Sequence, residues 1–289
     1  MGLEFDVIAM QGGGIRCFWQ AGFLMVASEI QCVKEAPIFA VSAAAGIAAA
    51  HAAGRLEHAV ERFRAAARAN TRNVHWRNLL SDQPVFPHSG IYRRVLGEVF
   101  DDAAVARLRA GPGLSVLLAR PRPGLPTAVA VGLSGVLYRA KKSMAPARWN
   151  RLAQAVGFRP QYVDVRTCDG PDAVAQLILA SSCTPPFTPV LTWQGCRVID
   201  GGLLESVPIS PIAASGRRAL VLMTRAPRPG ESFVDAHDVV WPSRPLAVSA
   251  WDYTNPQAID DAVALGRHDA AAFLECYGAS RRCLISMPD

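Results

Sequence analysis

One serine stands out by where it sits. In FAVSAAAG, residues 39–46, Ser42 closes an apolar run that reads as a strand and opens an alanine-rich run that reads as a helix. A nucleophile elbow places its serine on such a strand-to-helix turn. The turn lifts the hydroxyl out of the sheet and sets it at a helix N-terminus, whose N–H groups favour developing negative charge. Tiny residues are needed two before and two after the serine, and here they are Ala40 and Ala44 instead of glycines. An ordinary N-cap serine, accepting a first-turn N–H, fits the same eight residues.

Two other groups bear on that choice. Gly12, Gly13 and Gly14 directly follow the first apolar run. Three glycines ahead of a helix make a nest of backbone N–H groups that can act as an oxyanion hole, with Gly13 and Gly14 as candidate donors. A dinucleotide-binding turn is the rival, since Gly12-x-Gly14 would be its start; Cys17 stands where its third glycine belongs, and no acidic residue closes a second strand at the right distance. Arg16 either holds this loop or contacts a phosphate, with a surface salt bridge as the plain alternative. Asp200 ends the apolar stretch VID ahead of two glycines, a place where it could orient and deprotonate Ser42. As a lone Asp-Gly pair it would mean only a turn.

Histidine offers no third member by pattern. Both His237 and His268 follow Asp200, but neither carries a local mark, and a packed or solvated ring is expected for each. Gly132-Leu133-Ser134-Gly135 imitates an elbow, yet lacks a small residue two after its serine and reads as structural.

The elements that must position these groups come from hydrophobic patterning. Residues 4–10 read as a buried parallel strand, Gln11–Gly14 as a turn and 15–32 as a helix. A second strand follows at 37–41, then a long helix over 43–69 that starts buried among alanines and ends at the surface. This order opens an α/β fold. Residues 70–112 read as irregular around one amphipathic stretch, IYRRVLGEVF, and form a basic cap-like segment. Strands are expected at 114–119 and 125–131, a helix at 172–180, short strands near 188–192, 196–199 and 218–224, and a closing helix at 256–277. One domain over residues 1–289 is expected, with no repeat and no long linker.

Composition bounds the class. The chain has 289 residues, 51% hydrophobic and 19% charged, which is a folded globular balance. Seven cysteines, among them Cys17, Cys183 and Cys283, are odd in number and show no CxxC spacing, so reduced, mostly buried thiols are expected. The first residues carry Glu4 and Asp6 and are not patterned as a signal peptide, which points to the cytoplasm. The uncharged windows 36–54 and 173–196 fall short of a membrane span. Net charge is +6, but residues 61–150 hold fifteen Lys or Arg against five Asp or Glu, so this segment is the basic pole. A solvated face, an anionic membrane surface and nucleic acid are the three readings of such a pole, the last without any nucleic-acid-binding signature.

Taken together, GGGIRC at 12–17, AVSAA at 40–44 and DGG at 200–202 resemble the patatin-like phospholipases. The approach LILASSCTPPFTPV at 177–190 and ESVPI at 205–209 also match that family's pattern, in its order and spacing, over roughly residues 5–225. The resemblance implies a three-layer α/β fold with a central, mostly parallel sheet flanked by helices and a helical or irregular cap. It further implies a Ser42–Asp200 dyad without histidine, an oxyanion loop at Gly12, Gly13 and Gly14, and Arg16 as that loop's basic residue. The implied activity is acyl hydrolysis of phospholipid or lysophospholipid, with no cofactor, no metal, no nucleic acid and no transmembrane segment, and with peripheral membrane contact through 61–150. Three departures stand out: alanines at 40 and 44, Cys17 for the glycine closing the loop, and Cys183 for alanine. An acyltransferase, or a lipid-binding protein disabled by these departures, would share the same pattern.

Overall fold

The computed structural model describes residues 5–124, 126–140, 146–185 and 187–285. Part of the basic run RAKKSMAPAR, at 141–145, lies outside the described residues, as do Pro186 of the approach to Asp200, Glu4 and the Cys283 side chain.

An eight-stranded mixed sheet forms the centre. Strands β1 (Val7–Met10) and β2 (Ile38–Val41) pair in parallel, and β2 pairs in parallel with β3 (Leu114–Pro121). On the other side, β7 (Ala219–Leu222) and β8 (Asp238–Val240) extend the parallel part from β1. The antiparallel strands β4 (Phe158–Asp164) and β6 (Cys196–Asp200) both join β3, and β5 (Leu191–Trp193) pairs with β6.

Buried parallel strands send alternate side chains to two apolar layers. Ile8 and Met10 of β1 pack toward a large cluster with α1 (Phe18–Ala27), α3 (Ala43–Ala52), α4 (Leu56–Ala69), α5 (His88–Val99), α6 (Asp102–Ala110), α9 (Pro171–Ser181) and α11 (Pro256–Ile285). Val7 and Ala9 face the other way, toward Val207 and Ile212 around α10 (Ser210–Ala214). Ala119 and Ile199 meet Ala130 of α7 (Thr127–Ala140) and Trp149 of α8 (Pro146–Ala155) on a third cluster. The result is the expected three-layer α/β architecture with a mostly parallel sheet. A short helix, α2 (Gln31–Glu35), links α1 to β2. None of the helices, among the described residues, is long and apolar enough to cross a membrane.

Three sequence expectations change. The helix over 43–69 is two helices, because Gly54 takes φ +64° and turns the chain between α3 and α4. The segment 70–112 contains α5 and α6, the latter capped by Asp101, whose carboxylate accepts the Ala104 N–H at 2.7 Å. The strand expected at 125–131 is the start of α7 instead. Ala130 and Ser134 are buried and Leu133 is partly buried, the i, i+3, i+4 spacing of a helix face. Ser134 bonds back to Val131 O at 2.8 Å, so the false elbow is one turn of this helix.

Helix α3 is apolar on every side, as a helix wedged between a sheet and other helices must be. Its alanines at 44, 45, 48, 49 and 50 are fully buried, and small side chains let its neighbours approach from all directions. A second close approach lies at the α1–α11 crossing. A Cβ on Gly22 would stand 2.0 Å from Val263 O, and one on Gly266 2.0 Å from Trp19 O. Trp19 Nε1 donates to Asp269 Oδ2 at 2.7 Å beside this contact. Because α1 continues from the glycine loop, α11 fixes that loop through α1.

Two outcomes follow for stability. Gly266→Ala forces the two helices apart and lowers unfolding free energy by about 1–3 kcal/mol in urea titration. Burial pushes the His51 imidazole, in the last turn of α3, from 6.5 down to about 4. The unfolded chain therefore binds the proton first on acidification, so this contribution to stability is present above pH 6.5 and lost as pH falls toward 4. Replacing His51 with Gln flattens the slope of stability against pH in that window, by up to about 3 kcal/mol in total.

Candidate active site

The site forms where two strands meet end to end on one edge of β3. Parallel β2 pairs with Leu114–Leu117 and ends at Val41, opposite Leu117. Antiparallel β6 comes from the other direction and ends at Asp200, opposite Leu118. Since β4 occupies the opposite edge of β3 along Ser115–Pro121, β2 and β6 share the remaining edge. Successive register positions thus bring together residues 158 apart in sequence: Ser42 Oγ donates to Asp200 Oδ2 at 2.7 Å.

Ser42 has φ +58° and ψ −138°, an unusual backbone for a side chain with a Cβ. Its side chain makes no cap hydrogen bond to α3. This counts against the cap reading of FAVSAAAG, because an N-cap serine has ordinary extended backbone and spends its oxygen on the helix. The alanines flanking the elbow carry no such backbone: among residues 39–46 the positive φ is confined to Ser42. Ala40 sits in regular strand register opposite Val116 and Ala44 in regular helix, both fully buried.

The glycine loop lies against this turn. A Cβ on Gly12 would stand 3.0 Å from Ser42 Cβ, and Gly14, at φ +59°, would drive one into Ala250 O. The Gly12 N–H goes to Ser206 O at 3.2 Å and the Gly13 amide meets the Cys17 sulfur, whereas the Gly14 amide meets no backbone acceptor among the described residues. Of the three glycines, Gly14 is therefore the available donor beside Ser42.

Polar residues that sequence reasoning passed over hold the pair in place. Ser181, fully buried at the end of α9, accepts the Ser42 N–H at 2.8 Å and donates to Leu117 O at 2.8 Å. Thr184 Oγ1 donates to Asp200 Oδ2 at 3.2 Å, Gly202 N–H to Asp200 Oδ1 at 2.6 Å, and the Asp200 N–H reaches Cys183 O at 2.8 Å. The stretch SSCT, 181–184, thus braces both members. Its only mark in the sequence was the resemblance of the block around it.

Arg16 lies in the wall of the same cleft and donates from Nε to Val248 O at 2.9 Å, tying the glycine loop to the segment before α11. His237 is remote: its Nδ1 accepts the Ala219 N–H at the edge of β8. His268 is exposed on α11. No histidine among the described residues bonds to Ser42 or Asp200, although His88 lines a chamber beside Ser42 with its Nε2 on Trp251 O at 2.8 Å. Burial lowers the His88 pKa and keeps that ring neutral. Cys17 is a buried wall residue whose thiol is pushed far up by desolvation. Cys183, pushed up to about 11 by burial, keeps its proton and donates to Pro189 O at 2.9 Å.

Three spaces meet here. An open cleft of ≈ 950 Å³ is lined by Ser42, Asp200 and the glycine loop between the Val131–Val136 face of α7 and Arg225 and Arg228. A small chamber of ≈ 40 Å³ adjoins Ser42 under His88, Tyr92 and Trp251. Behind it, a nearly all-apolar chamber of ≈ 40 Å³ reaches Phe63, Val99 and Phe100 and shares the walls Gly14, Ala43, Tyr92 and Tyr253.

Removing the Ser181 hydroxyl tests the brace. Ser181→Ala strands a buried carbonyl at Leu117 and the Ser42 amide, so chemical unfolding reports a loss of about 1–3 kcal/mol.

A search of the curated proteins found no match. The family model described as patatin-like phospholipase matches residues 8–213, from β1 through the glycine loop, Ser42 and Asp200 into α10. With most of its length inside that match and with the three-layer fold the family requires, the chain belongs to the patatin-like phospholipase family.

Proposed function

We propose that this protein is a serine acyl hydrolase of lipid carboxyl esters, of phospholipase A or lysophospholipase type, with Ser42 as nucleophile and Asp200 as base. The observation that carries the reading is the 2.7 Å bond from Ser42 Oγ to Asp200 Oδ2, on a positive-φ turn beside the glycine loop.

The chemistry follows from that arrangement. Ser42 Oγ attacks the ester carbonyl carbon while its proton passes to Asp200, and the carbonyl electron pair moves onto oxygen. N–H groups of the glycine loop, Gly14 foremost, hold the resulting oxyanion. Collapse breaks the bond to the alcohol, which leaves with the proton from Asp200 and leaves the acyl group on Ser42. Water then attacks the acyl carbon, gives its proton to Asp200, and the fatty acid departs as Ser42 regains its hydrogen.

The cavities support a lipid substrate. The inner chamber is walled by apolar Ile15, Phe18, Phe63, Val95 and Phe100, and the open cleft, with Arg16 and Arg228 in its wall, suits a polar headgroup. Access of solvent to that cleft favours hydrolysis over transfer to another acceptor. Against the disabled-protein reading, Ala40, Ala44, Cys17 and Cys183 all sit in regular backbone or as neutral walls.

Ser42→Ala and Asp200→Asn are each expected to cut fatty-acid release by roughly 10³-fold or more. A fluorophosphonate is expected to label Ser42, and undiminished labelling of the Ser42→Ala protein would overturn the assignment.

A further inference from the structure

The turn ahead of α5 keeps large apolar side chains in water. On the 3-10 turn Trp76–Leu80, Trp76, Leu79 and Leu80 are 68%, 65% and 95% exposed. Three such residues within one turn form a contiguous apolar tip, which marks an interaction site more often than chance exposure. The tip is held in shape: His75 N–H bonds to Val85 O at 2.8 Å, and Asn78 Nδ2 to Pro84 O at 2.9 Å.

Charge of one sign surrounds this tip. Between residues 68 and 94 the chain carries Arg68, Arg72, Arg77, Arg93 and Arg94 against Asp82 alone. All five arginines are exposed, and none forms an ion pair among the described residues. Tryptophan and leucine beside arginine suit the boundary of a bilayer: the ring and aliphatic groups enter the acyl region while guanidinium groups meet anionic headgroups. A protein partner would need a shaped, satisfied contact; a bilayer needs only an apolar tip and opposite charge.

The tip is also wired to the cleft. Asn70 and Asn73, at its root, bond to Tyr253 O at 2.9 Å and to Asp252 Oδ1 at 3.0 Å. Farther along, Phe86 packs edge-on against Phe187 with ring centroids 5.1 Å apart, and Phe187 stacks on Trp251 at 5.2 Å. Phe187 and Trp251 both line the cleft that exposes Ser42. An aromatic path therefore joins the exposed turn to the mouth of the site.

We propose that the Trp76–Leu80 turn, with Arg68, Arg72 and Arg77, is an anchor that docks on an anionic lipid bilayer and sets the cleft mouth against it. The delivery of lipid rests on the acyl-hydrolase reading; the docking does not.

Co-sedimentation with vesicles of phosphatidylcholine alone, or mixed with phosphatidylglycerol, tests the anchor. The parent protein and its Ser42→Ala variant are expected to bind the anionic vesicles preferentially. W76S/L79S/L80S is expected to lower that partition at least about tenfold, and R72Q/R77Q to remove about fivefold per arginine. Both leave hydrolysis of a short, water-soluble ester unchanged. Equal binding by the triple variant and the parent overturns the proposal, as does indifference to vesicle charge. So does self-association of the parent that the triple variant abolishes, because the tip would then face a second copy. Failed vesicle binding with ester hydrolysis intact sinks the anchor alone, and vesicle binding without Ser42-dependent hydrolysis sinks the enzymatic reading alone.

Discussion

The head-on meeting of β2 and β6 along one edge of β3 is the constraint on which the site depends. A parallel strand and an antiparallel strand cannot share an edge position, so where one stops the other begins. Here the change falls between Leu117 and Leu118, and the two chain ends that it creates carry Ser42 and Asp200. On that edge the backbone loses its ladder partners there, while β4 pairs along the other. Ser181 takes up Leu117 O and the Ser42 N–H together, and Cys183 O takes the Asp200 N–H. Unpaired, each of these buried groups would cost about 1–3 kcal/mol.

The strained turn at Ser42 persists because its surroundings over-determine it. A non-glycine residue at positive φ costs on the order of 1–3 kcal/mol, and this one is held by its amide bond to Ser181, its hydroxyl bond to Asp200 and the buried helix that follows. Small residues make the approach possible on every side. Gly12 sits against the Ser42 Cβ, and the buried alanines of α3 admit helices from several directions. Alanine at 40 and 44 is compatible with this because the positive φ falls on the serine itself.

Much of the fold was legible where local pattern and tertiary environment agreed. The apolar runs of β1, β2 and β7 are buried on both faces and read as strands, and α9 ends where prolines begin. Misreadings occurred where local pattern was ambiguous. TAVAV at the start of α7 alternates like a strand, and only packing on Trp149 and Ile199 makes it a helix face. Strand β4, with exposed Arg159 and Pro160, has an edge strand's weak apolar signal and was not anticipated. The dyad candidates and the glycine loop were legible through a set of short motifs in a fixed order. Ser181 and Thr184 were not, since a serine or threonine gains such a role only from the groups that folding places around it.

By itself, the sequence determined the kinds of groups available: a hydroxyl on a strand-to-helix turn, glycines ahead of a helix, a carboxylate before a DGG turn, and a basic middle segment. Their order along the chain was enough to suggest a common purpose. Only the tertiary structure decided that Ser42 and Asp200 lie 2.7 Å apart, that Gly12 spends its amide on Ser206 O, and that a small chamber adjoins the serine. The physical reason is that these relations pass through β3 and α9, which are remote in sequence from both partners. Register between strands and the burial of a shared carbonyl are properties of the assembled sheet, and no local window of the chain contains them.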